Sequence, residues 1–116
     1  MAFIDFPSQL LQLAHKTYWG EYAWKANDVP TVLEFASANN LVILGGDVIT
    51  PLDEYTCDNW YYDISYSQTI KENIQSSITQ TQQYINAYIQ RNGDVFLFIL
   101  SLNKLLYVSK QLAIIE

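Results

Sequence analysis

Cys57 and His15 are the only cysteine and the only histidine in the 116 residues. A single thiol cannot close an intrachain disulfide, so a reducing compartment, the cytoplasm, is the simpler expectation. The two residues lie far apart in the chain, and a Cys-His dyad is not expected. Cysteine or histidine clusters with zinc-ligand spacing are missing, as are a glycine-rich phosphate loop and a serine in a nucleophile elbow. The sequence therefore predicts a protein that is not an enzyme and uses no cofactor or metal. Long apolar runs are also missing. The longest, Val95 to Leu100, is far short of the about 20 residues needed to span a bilayer, and no membrane association is expected. The opening Met1-Ala2-Phe3-Ile4-Asp5-Phe6-Pro7 has neither the basic start nor the apolar stretch of a secretory signal.

Positive charge is scarce. Six lysines and arginines face twelve aspartates and glutamates, a net charge of -6. The imbalance is local: between residues 21 and 63, Glu21, Asp28, Glu34, Asp47, Asp53, Glu54, Asp58 and Asp63 meet only Lys25. Such a field repels phosphate backbones and attracts cationic surfaces, which argues against direct nucleic-acid binding and for a basic protein partner.

Half of the residues are hydrophobic and only 16% charged, so the chain has the material for a core, and its length fits one domain over residues 1–116. Pro7-Ser8 followed by Leu10, Leu11, Leu13 and Ala14 predicts a short helix, with His15 solvated near its C-terminus. Asn27-Asp28 and Pro30 open a second helix with Val29, Val32, Leu33 and Ala36 on one face, ending at Asn39-Asn40. Leu41 to Leu44 predicts a buried strand that stops at Gly45-Gly46, where unusual angles or close approach call for glycine. A loop and a short strand follow up to Asp63. Ser65 and Gln68 have capping-box spacing, and Arg91-Asn92-Gly93 marks a helix end. Between them Ile70, Ile74, Ile78, Ile85 and Ile89 recur in steps of four and seven, predicting one long helix with a core-facing stripe. Its other positions, such as Lys71, Gln75, Gln82 and Asn86, are polar, which argues against a structural protein assembled through that helix and for a monomer or weak dimer. Val95 to Leu100 predicts a second central strand beside Leu41 to Leu44. The tail, Leu102 to Ile115, suits a helix through Leu102, Leu105, Leu106 and Leu112, although Leu106, Val108, Leu112 and Ile114 also share strand parity. The predicted class is α+β, a small sheet packed against a long helix with two shorter N-terminal helices.

The acidic stretch is also aromatic. Tyr55, Trp60, Tyr61, Tyr62 and Tyr66 form the densest ring patch, and tyrosine and tryptophan dominate binding hot spots. Alternation predicts Trp60 and Tyr62 on one face of a strand and Tyr61 on the other. Tyr18, Trp19, Tyr22 and Trp24 form a second patch, read as packing. Asp47, Asp53, Glu54, Tyr55, Asp58, Trp60, Tyr61 and Asp63 are the candidate partner-binding residues. The same carboxylates could serve a metal-dependent hydrolase, but no lysine or arginine lies between Lys25 and Lys71 to hold an anionic substrate.

Leu44-Gly45-Gly46-Asp47-Val48, then Asp58-Asn59-Trp60-Tyr61-Tyr62, then a long helix, resembles an immunity protein family of bacterial polymorphic toxin systems, number forty in that series, over about Leu33 to Leu100. The resemblance implies a small α+β cytoplasmic antidote that binds and neutralises a cognate toxin C-terminal domain. Many delivered toxins are nucleases with basic clefts, so an acidic aromatic surface at Asp47 to Asp63 is expected to block such a cleft.

Overall fold

The computed structural model describes residues 4–108 and 111–114. The expectations placed on Met1-Ala2-Phe3 and on Ile115 lie outside them. The element order is α1 (Ser8–Leu13), β1 (His15–Lys16), β2 (Tyr22–Lys25), a 3-10 turn (Ala26–Asp28), α2 (Val29–Ala38), β3 (Leu41–Ile49), β4 (Tyr55–Tyr61), α3 (Ile70–Asn92), β5 (Leu97–Val108) and β6 (Gln111–Ile114). The strands form one six-stranded sheet in the order β1-β2-β5-β3-β4, with β6 on β5, and every pairing is antiparallel. The class is α+β, with the sheet packed against the long helix as the sequence predicts.

Helix α2 buries Val29, Val32, Leu33 and Ala36, the four residues of its predicted face. Helix α3 begins later than Ser65. Its N-cap is Thr69, whose hydroxyl accepts from the Glu72 backbone N–H at 3.1 Å while the Glu72 carboxylate accepts from the Thr69 N–H at 2.9 Å. Ser65 is instead tied to the Asn73 side chain, through its N–H at 2.8 Å and its carbonyl at 2.9 Å. The 23 residues of α3 make a rod of about 35 Å. Its isoleucine stripe packs inward, with Ile74 and Ile85 buried and Ile70, Ile78 and Ile89 against the core. Buried Asn73, Ser77 and Thr81 interrupt that stripe, and each makes a hydrogen bond.

Strand β3 does not stop at Gly45-Gly46 but runs through both to Ile49. The glycines are there for close approach. A Cβ on Gly45, where φ is +147°, would lie 2.1 Å from the Trp60 carbonyl oxygen, and one on Gly46 would lie 2.1 Å from the Ile99 carbonyl oxygen and 2.4 Å from the Trp60 indole. The tail is a strand rather than a helix. Leu102, Asn103 and Lys104 pair with Ile43, Val42 and Leu41, and Leu105 to Val108 pair with β6. A helix from Leu102 would leave that end of β3 without its ladder. His15 is likewise not on a helix, because the chain turns extended at Ala14 and His15 pairs with Ala23 across β1 and β2.

Helices α2 and α3 cover one face of the sheet. Trp24, Ile43, Val48, Trp60, Phe98, Leu100 and Leu102 meet Val29, Val32, Ala36, Ile85 and Tyr88 there. The opposite face is closed at one end by Trp19 over Ala23, Ile49, Leu97 and Ile99. At its other end Val42 joins Ile74, Leu105 and Leu112. Between those two patches the sheet is uncovered.

Candidate binding face

The uncovered face is laid out by strand register. Tyr55, Ile49 and Leu97 form one cross-strand row, Asn59, Asp47 and Ile99 the next, and Tyr61, Gly45 and Ser101 the third. Residues directly opposite share a face, so Tyr55, Asp47, Asn59, Tyr61 and Ser101 all point away from the helices. Tyr61 is 70% exposed, whereas its neighbour Trp60 is 7% exposed and buried under the helices. The separation of Trp60 from Tyr61 is the predicted one, but Tyr62 lies beyond β4 and packs with Val42 and Ile74 rather than beside Trp60. Trp60 is stacked on Tyr84, meets Phe98 edge-on and donates its indole N–H to Thr81 Oγ1 at 3.1 Å. As a candidate contact residue it sits in the core, on the side away from Tyr61.

The aromatic centre of the face comes from two chain segments 36 residues apart. Trp19, in the β1–β2 loop, stacks on Tyr55 of β4 with ring centroids 5.1 Å apart and planes inclined by 24°. Tyr18 meets Trp19 edge-on at 4.9 Å and is 84% exposed. Glu21 ties the pair together, since its carboxylate accepts the Trp19 indole N–H at 2.6 Å and the Tyr55 hydroxyl at 3.3 Å. Loss of water around the half-buried Asp47 raises its carboxyl above the ordinary range, and the nearby charge of Glu21 adds to the effect. Tyr55 is pushed up in turn, by desolvation first and then by Glu21 and Asp47.

The structure divides the remaining candidate acids. Asp53 lies in the β3–β4 turn at φ +61°, where its carboxylate meets His15 Nε2 at 2.5 Å and accepts from the Tyr18 backbone N–H at 2.9 Å. The hydrogen bond from His15 chiefly holds the Asp53 carboxyl below its ordinary range, helped by Tyr18. Its role is to fasten the loop that carries Tyr18 and Trp19 onto the β3–β4 turn. Asp58 is turned toward the helices and accepts from the Tyr88 hydroxyl at 2.9 Å. Asp58 lies between Cys57 and Asn59 on the strand, so ordinary alternation puts it on the side of Trp60 and not in the row of Asp47. Glu54 is exposed just before β4, and Asp63 is exposed in the connection to α3. Among the described residues no group of three or more His, Cys, Asp or Glu side chains is placed to hold a metal ion. The sole contact among them between a carboxylate and a basic side chain joins His15 to Asp53, and neither Glu21 nor Asp47 has a lysine or arginine partner there.

Sequence reasoning missed Trp19 and Glu21 as parts of the face. The sequence reads Trp19 as packing, and it does cover Ile49, but Trp19 is only half-buried and Tyr18 is exposed beside it. A tryptophan, a tyrosine and a glutamate within four residues were the available signal. Their pairing with Tyr55 depends on tertiary contact.

The described residues thus form an antiparallel sheet with an acidic, aromatic surface on the face that the helices leave open. The chain matches the family model of Immunity protein 40 over residues 12–102, and it belongs to that family of immunity proteins. The match runs from β1 through α3 and ends within β5, at residue 102. No curated protein and no solved structure matches the chain. No helix among the described residues is long and apolar enough to cross a membrane.

Proposed function

We propose that this protein binds a cognate toxin domain in the cytoplasm and neutralises it without catalysis, through the uncovered face of its sheet. Membership of an immunity protein family supports neutralisation of a toxin in general. The observation that carries the choice of surface is the Trp19–Tyr55 stack held by Glu21 beside Asp47, with no cation paired to either carboxylate among the described residues. Rigid aromatic area supplies contact energy at low entropic cost, and unpaired carboxylates steer a basic surface into place. A toxin with a basic cleft, as a nuclease requires, would have its active site occluded by this face. Within the original candidate set, Asp47, Tyr55 and Tyr61 are the proposed contacts, joined by Tyr18, Trp19 and Glu21. Asp53 positions the loop, and Trp60 supports the sheet from below.

The direct test is co-expression with a candidate toxin domain encoded by a neighbouring gene. Cells should survive and the two proteins should purify together. Killing that persists in the presence of folded protein, with no complex formed, would refute the proposal.

A further inference from the structure

Gly45 stands between Tyr61 and Ser101 on the uncovered face and contributes no side chain to that row. A shallow groove lies over it, bordered by Asp47, Asn59, Tyr61, Ser101 and Asn103. The groove cannot be closed by a larger residue at Gly45, because a Cβ there collides with the Trp60 carbonyl. The charge of its walls is one-sided. Two carboxamide oxygens, a hydroxyl and a carboxylate accept hydrogen bonds, Tyr61 presents an exposed ring, and no lysine or arginine borders it. Asp47 is half-buried there and has no cationic partner among the described residues, so its ionised form has lost water without recovering an opposite charge.

A guanidinium group fits these walls better than other cations. It is planar, carries five N–H donors in a fixed fork, is weakly hydrated and stacks on aromatic rings. We propose that the groove over Gly45 is a socket for one arginine side chain of the partner, with Asp47 as its counter-charge and Tyr61 as its stacking wall. The proposal rests on the reading of this face as the toxin-binding surface, and it names the anchor within it. The socket lies between two apolar patches, the setting in which a charged pair is shielded from water and dominates binding.

The experiment uses the free protein and N-acetyl-L-arginine amide as the probe, followed through backbone amide resonances against sodium chloride at equal ionic strength. Saturable shifts are expected at Gly45, Gly46, Asn59 and Ser101. They should be lost in Asp47→Asn and retained in Asp58→Asn, and N-acetyl-L-lysine amide should bind more weakly. Shifts no larger than those from sodium chloride, shifts unaffected by Asp47→Asn, or shifts centred on the Tyr18–Trp19 loop would each overturn the socket. If the probe fails while reversal of Glu21 and Asp47 still weakens a toxin complex, the socket is wrong and the binding face stands. If the probe binds as described while co-expression fails to protect, the socket stands and the toxin reading falls.

Discussion

The backbone N–H of Ile43 donates to the hydroxyl oxygen of Ser77 at 3.0 Å, in a fully buried contact between β3 and the middle of α3. Strand β4 ends at Tyr61, paired with Gly45, so the first residues of β3 have no strand on that side. The helix supplies the missing acceptor. Ser77→Ala leaves a buried donor unpaired, and the expected loss of stability is about 1–3 kcal/mol. Urea denaturation measures it directly, and an unchanged midpoint would show that Ile43 does not depend on Ser77.

Glycine positions should respond very differently to one added methyl group. Gly46→Ala places a Cβ against both the Ile99 carbonyl and the buried Trp60 ring. The expected cost is about 4 kcal/mol or more, enough to unfold a marginal domain. Gly20→Ala meets no atom within 4 Å and pays only for its φ of +98°, about 1–3 kcal/mol. Thermal melts of the two variants should therefore separate widely, and similar melts would contradict the close approach at Gly46.

Much of this architecture is readable from periodicity, because single helices and strands bury one face at a fixed spacing. Val29, Val32, Leu33 and Ala36 mark α2, and the isoleucine steps mark α3. The tail is different. Leu102, Leu105, Leu106 and Leu112 satisfy a helical pattern, and only the exposed ladder of β3 and the partner strand β6 decide for a strand. Gly45-Gly46 reads as a strand end because glycine is usually a breaker, but here it is the residue that lets three strands and an indole crowd together. The candidate site is legible in part for the same reason. Alternation separates Tyr61 from Trp60 and sets Asp58 on the side of Trp60, whereas the meeting of Trp19 with Tyr55, the bond from Tyr88 to Asp58 and the capture of Asp53 by His15 are tertiary events.

Asp47 should make the free protein less stable at neutral pH than its amide counterpart. Its folded-state carboxyl is raised by burial and then by Glu21, so the folded state holds this proton more tightly than the unfolded chain. Such a group contributes stability at low pH and loses that contribution as pH rises through the raised value. Asp47→Asn is therefore expected to unfold at higher urea than the parent at pH 7, with the two curves converging as pH falls through the Asp47 titration. Asp53 has the opposite sign. Hydrogen bonds from His15 and Tyr18 lower it, so its contribution is full above the ordinary carboxylate range and disappears as pH falls through the lowered value. Asp53→Asn should be destabilising at pH 7. A destabilised Asp47→Asn at neutral pH would remove the account of Asp47 as a desolvated, unpartnered acid.

Four aspartates of the acidic stretch should then fall into separate classes when tested against the toxin. Asp47 and Glu21 lie on the uncovered face without cations among the described residues, and lysine substitutions there replace attraction with repulsion at the surface a basic partner would meet. Asp53→Lys should weaken binding indirectly, because it releases the loop carrying Tyr18 and Trp19. Asp58→Lys removes the acceptor of the Tyr88 hydroxyl on the helical side and should lower stability, with little effect on association of the molecules that remain folded. Asp63, exposed beyond β4, should matter least to either property. Association rates across a salt series separate these outcomes, since steering falls with ionic strength while a displaced loop changes the rate at every salt concentration. Glu21→Lys combined with Asp47→Lys should flatten the salt dependence most. Equal flattening by Asp58→Lys or Asp63→Lys would move the contact surface to the β4 edge and away from the aromatic stack.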